Sequence, residues 1–254
     1  MRLCDALGVQ RGEIIAFTGA GGKTSATMRL GAELRAEGWR ILATTTTRIA
    51  LEEMQAFPHA LRFDKITSPV QLDEKLEKYG MVFLYERTWG GKAIGIPPER
   101  IADLADRVAS DAIIIEADGA RRFPLKAPFD HEPVIPPDTS LAVPVAGMDA
   151  VGMPLNEQAV YNLQKIIDRY GFLENTPIQP AWIAQIIRDE TIGLQGIPEH
   201  TRIVPLLNKT GMTVRERLRA RRAAQLILHE KRIQAVAIGR VQHRKQPIFE
   251  TQRR

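Results

Sequence analysis

The feature that most constrains this chain is the passage Ile14-Ile15-Ala16-Phe17-Thr18-Gly19-Ala20-Gly21-Gly22-Lys23-Thr24-Ser25. It predicts a buried strand that breaks into a glycine-rich turn and delivers a lysine and a threonine to the first turn of a helix. That order makes a phosphate cradle. Glycines let the main chain approach an anion with no Cβ in the way, and the free N–H groups at a helix start point at it. Gly19, Ala20, Gly21, Gly22, Lys23, Thr24 and Ser25 are therefore the expected phosphate-binding residues. Lys23 would reach the terminal phosphates, and the Thr24 hydroxyl would sit on a magnesium ion. The commoner spacing has a glycine five residues before Gly22, where Phe17 stands, so this is the shorter Gly-x-x-Gly-Lys-Thr form.

A strand–loop–helix of this kind needs a sheet around it, and the remaining sequence supplies one. Strands are expected at Ile14–Thr18, Arg40–Thr44, Met81–Glu86, Ala112–Ile115, Leu141–Ala146, Ile203–Leu207 and Ala235–Ile238. Helices are expected at Lys23–Glu37, Leu72–Lys78, Pro97–Ala109, Glu157–Arg169, Ala181–Arg188 and Val214–Lys231, with a Gly90-Gly91 turn leading into Lys92–Ile96. Short apolar strands alternating with helices predict an α/β fold: a three-layer, P-loop NTPase-like arrangement around a mostly parallel sheet. Residues 1–254 read as one domain, with a proline-rich functional loop at 120–137 rather than a linker. In the 214–231 helix, Leu218, Leu226 and Leu228 are expected to face the sheet while the arginines stay solvated.

Composition narrows the classes. Apolar content of 44% and charged content of 26% are those of a globular protein with a full core. The single cysteine, Cys4, rules out an internal disulfide and a cysteine-built zinc site, and reads as a small apolar residue near a poorly ordered end. No apolar run approaches a membrane span, and Asp5, Arg11 and Glu13 interrupt any signal-peptide core, so a cytoplasmic location is expected. The net charge of +5 suits a phosphate-rich ligand. The basic run Arg215–Arg222 has no interleaved aromatics and no helix-turn-helix beside it, which argues against nucleic acid as partner.

Moving or cutting a phosphate needs a positioned acid as well as a cradle. The strand at 112–115 ends in Glu116-Ala117-Asp118-Gly119. Glu116, in preference to Asp118, is the expected magnesium partner with Thr24, and Asp118 is the candidate for orienting an attacking water. Gly119 would bring its N–H to the terminal phosphate. The strand ending in Asn208-Lys209 resembles the base-recognition segment of GTPases, with the lysine stem along the base and the asparagine bracing the loop. Gly211 stands where an aspartate would read guanine, so both ATP and GTP stay open. The cluster Thr44-Thr45-Thr46-Thr47 is either plain strand or a source of a metal- or phosphate-touching hydroxyl. In the proline-rich block, Arg121, Lys126, His131 and Glu132 are the candidate substrate residues, held by a stiffened loop.

The short phosphate loop resembles that of the Mur ligases. Taken together, Phe17–Ser25, Ala43–Thr47, Glu116–Arg121, the Leu125–Pro136 block with its His131-Glu132-Pro133, and Leu207–Lys209 resemble the YqeC family. The resemblance implies an accessory protein for selenium-dependent molybdenum hydroxylases, with the hydroxylase or its selenium-containing cofactor as a partner. The combined expectation is a magnesium-dependent nucleoside triphosphatase that couples hydrolysis to maturation of that enzyme. A small-molecule kinase or Mur-like ligase, and a nucleotide-gated chaperone or carrier with negligible turnover, are the alternatives.

Overall fold

Strands buried at every position belong in the interior of a sheet covered on both faces. Ile41–Thr45, Met81–Tyr85 and Ala112–Glu116 are all of this kind. The computed structural model describes residues 1–55, 57 and 59–254. The chain opens with α1 (Leu3–Leu7) and β1 (Glu13–Gly19), passes into α2 (Lys23–Ala36), and continues through β2 (Ile41–Thr45), β3 (Arg48–Ala50), α3 (Leu51–Met54) and β4 (Ala60–Arg62). Then come α4 (Pro69–Tyr79), β5 (Met81–Tyr85), the hairpin of β6 (Arg87–Trp89) and β7 (Lys92–Ile94), α5 (Ile101–Arg107), β8 (Ala112–Glu116), β9 (Leu125–Lys126) and β10 (Leu141–Gly147). The last part holds β11 (Val160–Tyr161), α6 (Leu163–Tyr170), α7 (Pro180–Arg188), β12 (Arg202–Ile203), β13 (Leu206–Asn208), α8 (Val214–Ile227), β14 (Ala235–Gly239) and β15 (Ile248–Arg253).

The described residues form a ten-stranded sheet in the order β15-β14-β13-β10-β1-β8-β2-β5-β4, with β12 also joined to β10. Neighbours run parallel except β15, which is antiparallel to β14. Alternate residues of each strand serve opposite faces. On one face Ile15, Phe17 and Val143 pack against α1 and α2 through Leu3, Leu7, Leu30 and Leu34. On the other, Ile14, Leu42 and Ile113 meet α4 and α5 through Leu72, Leu76, Ile101 and Leu104. Farther along that face, Ala142, Val236 and Ile238 meet α6, α7 and α8 through Ile166, Ile183, Ala224 and Ile227. The result is a three-layer, P-loop NTPase-like α/β fold around a mostly parallel sheet.

Several local expectations are corrected. The helix anticipated from Glu157 begins only at Leu163, because Val160 and Tyr161 pair with Leu125 and Lys126, and Asn162 turns the chain at φ 59. The strand expected at Ile203–Leu207 is split around Pro205, which has no N–H to give a ladder. Leu218 does not face the sheet. It is 54% exposed, and Ala220, Ala223, Ala224 and Ile227 make the buried face of α8. Cys4 is not at a loose end either: it is buried in α1, and burial pushes its thiol up to about 12.

Candidate functional site

The glycine loop lies at the carboxyl end of β1, near the middle of the sheet, and its conformation demands glycine. Gly19, Gly21 and Gly22 have φ of 83°, 86° and 113°. A Cβ on Gly21 would sit 2.2 Å from the Gly147 nitrogen, and one on Gly22 would sit 2.8 Å from the Asn208 side-chain nitrogen. The main chain is tied from outside, with Ala20 N–H donating to Val145 O and Gly21 N–H to Phe123 O. Asn208, at the end of β13, braces the loop: its amide donates to Gly21 O at 2.8 Å while its carbonyl accepts Val241 N–H at 3.1 Å. Beyond Gly22 the helix α2 begins, and its leading N–H groups have no acceptor within the helix.

Beneath the loop runs a chain of alternating charges. Lys23 Nζ donates to Gly19 O at 2.6 Å and lies 3.1 Å from Asp118 Oδ1. The other Asp118 oxygen accepts Gly19 N–H at 3.0 Å and lies 3.0 Å from Lys126 Nζ. Lys126 in turn pairs with Glu132 at 2.7 Å and donates to Gly119 O. The side chains of Lys23, Asp118 and Lys126 are 3%, 1% and 0% exposed, so each charge depends on its neighbours in place of water. Asp118 thus reaches up to the loop and across to the proline-rich segment. Glu116, two residues earlier on β8, is the acid that meets the helix start: its Oε2 accepts from Thr24 Oγ1 at 3.3 Å.

The structure sorts the threonines. Thr44 donates to Leu84 O and Thr46 to Val134 O, both within the scaffold. Thr45 donates to Glu116 O, and Thr45 and Thr47 line the cleft above the loop. That cleft, about 440 Å³, is also lined by Gly21 to Ser25, Glu116, Asp118, Gly119, Arg121 and Lys209. Lys209, at φ 55, sends its ammonium to Asp149 at 3.0 Å. His131 is exposed and stacked on Phe129, outside the lining of this cleft, and Lys126 and Glu132 lie beneath it in the charge chain. Gly211 packs under the Glu216 carboxylate, which is itself engaged in capping α8 through Thr213.

The family model for YqeC protein matches residues 15–164, well over half of the chain. The chain belongs to the YqeC family. A relative from Escherichia coli (strain K12), described as "Uncharacterized protein YqeC", is 31% identical over 214 residues, covering 80% of this chain and 78% of the relative. The matched YqeC segment contains the glycine loop, the Glu116–Gly119 turn and the Lys126–Glu132 pair, whereas Asn208 and Lys209 lie beyond it.

Arg48, Arg122, Phe123 and Gln242 also line the cleft, although no sequence motif singled them out. Gln242 donates to Ser25 Oγ at 3.3 Å from the loop after β14. Arg48 follows the threonine cluster directly, and Arg122 follows Arg121. Their neighbours in sequence were the available signal, but a surface arginine carries no pattern of its own. Among the described residues, no cluster of three or more His, Cys, Asp or Glu side chains is arranged to hold a metal unaided. Thr24 and Glu116 do offer two oxygens side by side. This fits a magnesium ion, which completes its shell with water and ligand phosphate. No helix among the described residues is long and apolar enough to cross a membrane.

Proposed function

We propose that this YqeC-family protein is a magnesium-dependent nucleoside triphosphate-binding protein that hydrolyses its nucleotide. The observation that carries the reading is the glycine loop at the carboxyl end of β1, with Lys23 behind it and Thr24 beside Glu116 in front. Lys23 exchanges its contacts with Gly19 O and Asp118 for the terminal phosphates, leaving Asp118 paired with Lys126. The N–H groups opening α2 hold phosphate oxygens, and Gly119 approaches the terminal one. Thr24 and Glu116 hold magnesium, which neutralises phosphate charge when bound. Lys209 and Asn208 lie on the side where the nucleoside would rest, and either ATP or GTP suits that side.

The wider role we propose is that of a cytoplasmic accessory factor, coupling this turnover to maturation of a selenium-dependent molybdenum hydroxylase. It rests on family resemblance; among the described residues no helix is long and apolar enough to cross a membrane, and the one thiol is buried. Two measurements test the nucleotide reading: titration calorimetry with ATP and GTP in the presence of magnesium, and phosphate release. Binding of either nucleotide that weakens about 100-fold or more in Lys23→Ala is the expected result, since a charge-assisted contact and its neighbours are lost together. No heat beyond dilution with both nucleotides would end the reading.

A further inference from the structure

The strand order divides the cleft into two flanks. The glycine loop follows β1; Lys209 and Gln242 follow β13 and β14 on one side of it, and Arg48 follows β2 on the other. Arg121–Phe123 leave β8 on that second side and cross to the loop, where Phe123 O accepts Gly21 N–H. A triphosphate seated in the loop leads its nucleoside off to one flank only. The two flanks differ in charge. On the first, the one lysine is already neutralised by Asp149, and Gln242 is neutral. On the second, Arg48 and Arg121 line the cleft together with Glu52, and neither arginine has a carboxylate within ion-pair distance among the described residues.

Each of these guanidiniums is braced by an aromatic ring in place of an acid. Arg48 lies over Trp89 at 5.6 Å and Arg121 over Tyr161 at 5.3 Å, which fixes their planes and leaves their N–H forks available. Trp89 is 67% exposed at the hairpin beside Arg48. Arg121 and Arg122 also hold consecutive left-handed conformations, φ 44 and 66. Such backbone is costly for a residue with a Cβ, by about 1 kcal/mol or more each, and glycine would occupy it more cheaply. Arginine at position 121 keeps a guanidinium at the cleft wall.

We propose that this flank is a second ligand site, built for a phosphate-bearing small molecule that sits beside the nucleotide. The proposal deepens the nucleotide reading and rests on it for the assignment of the loop. Planar forks on Arg48 and Arg121 match the tetrahedral oxygens of a phosphate, and their places on two separate segments, the start of β3 and the turn after β8, suit a ligand with more than one negative charge. The site is then a two-ligand one, where a bare hydrolase needs only its nucleotide and water.

Inorganic pyrophosphate serves as the probe, titrated by calorimetry into protein already saturated with a non-hydrolysable ATP or GTP analogue and magnesium. One further equivalent should bind, and Arg48→Gln and Arg121→Gln should each weaken it about tenfold while leaving the thermal midpoint unchanged. The same titration into Lys23→Ala, without nucleotide, should still show this binding. Three results overturn the proposal: no uptake by the saturated protein, displacement of the analogue by pyrophosphate, or uptake indifferent to both arginine changes. Failure of the nucleotide reading registers separately, as an analogue that does not bind wild type or binds Lys23→Ala equally well. In that case the Lys23→Ala pyrophosphate arm still decides whether the arginine flank binds phosphate.

Discussion

Two glycines separate what the loop needs in order to fold from what it needs in order to work. At Gly21 a methyl group would meet the Gly147 backbone at 2.2 Å, on a residue at φ 86. Gly21→Ala should therefore cost about 2 kcal/mol or more, read as a lowered urea midpoint. Gly119 is different: a Cβ there meets nothing within 4 Å. Gly119→Ala should change stability by less than about 0.5 kcal/mol and yet slow phosphate release, if its N–H approaches the terminal phosphate. An unfolding shift as large as that of Gly21→Ala would make Gly119 a structural residue. Asp118 probes the buried charges. Asp118→Asn takes the carboxylate from Lys23, which is 3% exposed, and leaves Lys126, at 0%, with Glu132 alone; it should cost about 3 to 5 kcal/mol, against no change for the exposed Asp138→Asn. At this scale the loop was legible because its backbone demand leaves glycines in the sequence. The burial of Lys126 was not. A lysine among prolines reads as presented to solvent, and only the tertiary approach of Asp118 and Glu132 makes its interior position tolerable.

Elements at the far end of the sheet are held by a junction the sequence did not advertise. Asp189 follows α7 and accepts from Thr191 N–H at 2.8 Å, Thr191 Oγ1 at 2.7 Å, Arg169 at 2.9 Å and Tyr170 at 3.0 Å, tying the end of α6 to the end of α7. Burial alone would raise its pKa, but hydrogen bonds from Thr191, Arg169 and Tyr170 outweigh it and hold the carboxyl below its usual value. A depressed carboxylate contributes stability that is fully present above its unfolded value, about 3.9, and is lost as pH falls through the lower folded one. Asp189→Asn should therefore lose about 2 kcal/mol at pH 6 to 7, with the gap to wild type closing below about pH 4. A gap unchanged down to pH 3 would show that charge plays no part. The elements read best from sequence were those whose burial is nearly uniform, such as β2, β5 and β8. β15 was missed because it is an antiparallel edge strand: after Ile248 it carries Glu250, Thr251, Gln252 and Arg253, half-exposed and without an apolar run. α6 was overextended because the sequence does not mark Val160 and Tyr161 as partners of β9.

Across the whole molecule, the order of the strands matters more than any one of them. Parallel pairing brings the carboxyl ends of β1, β8, β2, β13 and β14 to one rim, so segments separated by as much as 217 residues, Ser25 and Gln242, meet there. The sequence announced the rim's centre through the glycine loop and the acid after β8. It did not announce which residues would flank it, because flanking depends on strand order and not on local pattern. A ligand gripped by that rim joins both halves of the sheet, and its binding free energy adds to folding stability. With magnesium and nucleotide at about 100 times the dissociation constant, the gain is about 2.7 kcal/mol, or a midpoint rise of roughly 5 to 10 °C for a chain of this size. Lys23→Ala, binding about 100-fold or more weakly, should show a rise of no more than about 1 to 2 °C. Magnesium alone should also leave the midpoint in place, since Thr24 and Glu116 supply only two protein oxygens and the phosphates must complete the shell. Removing magnesium with a chelator should cancel most of the nucleotide's effect. Stabilisation by nucleotide that persisted in full without the metal would place the phosphates away from Thr24 and Glu116, and so away from the loop.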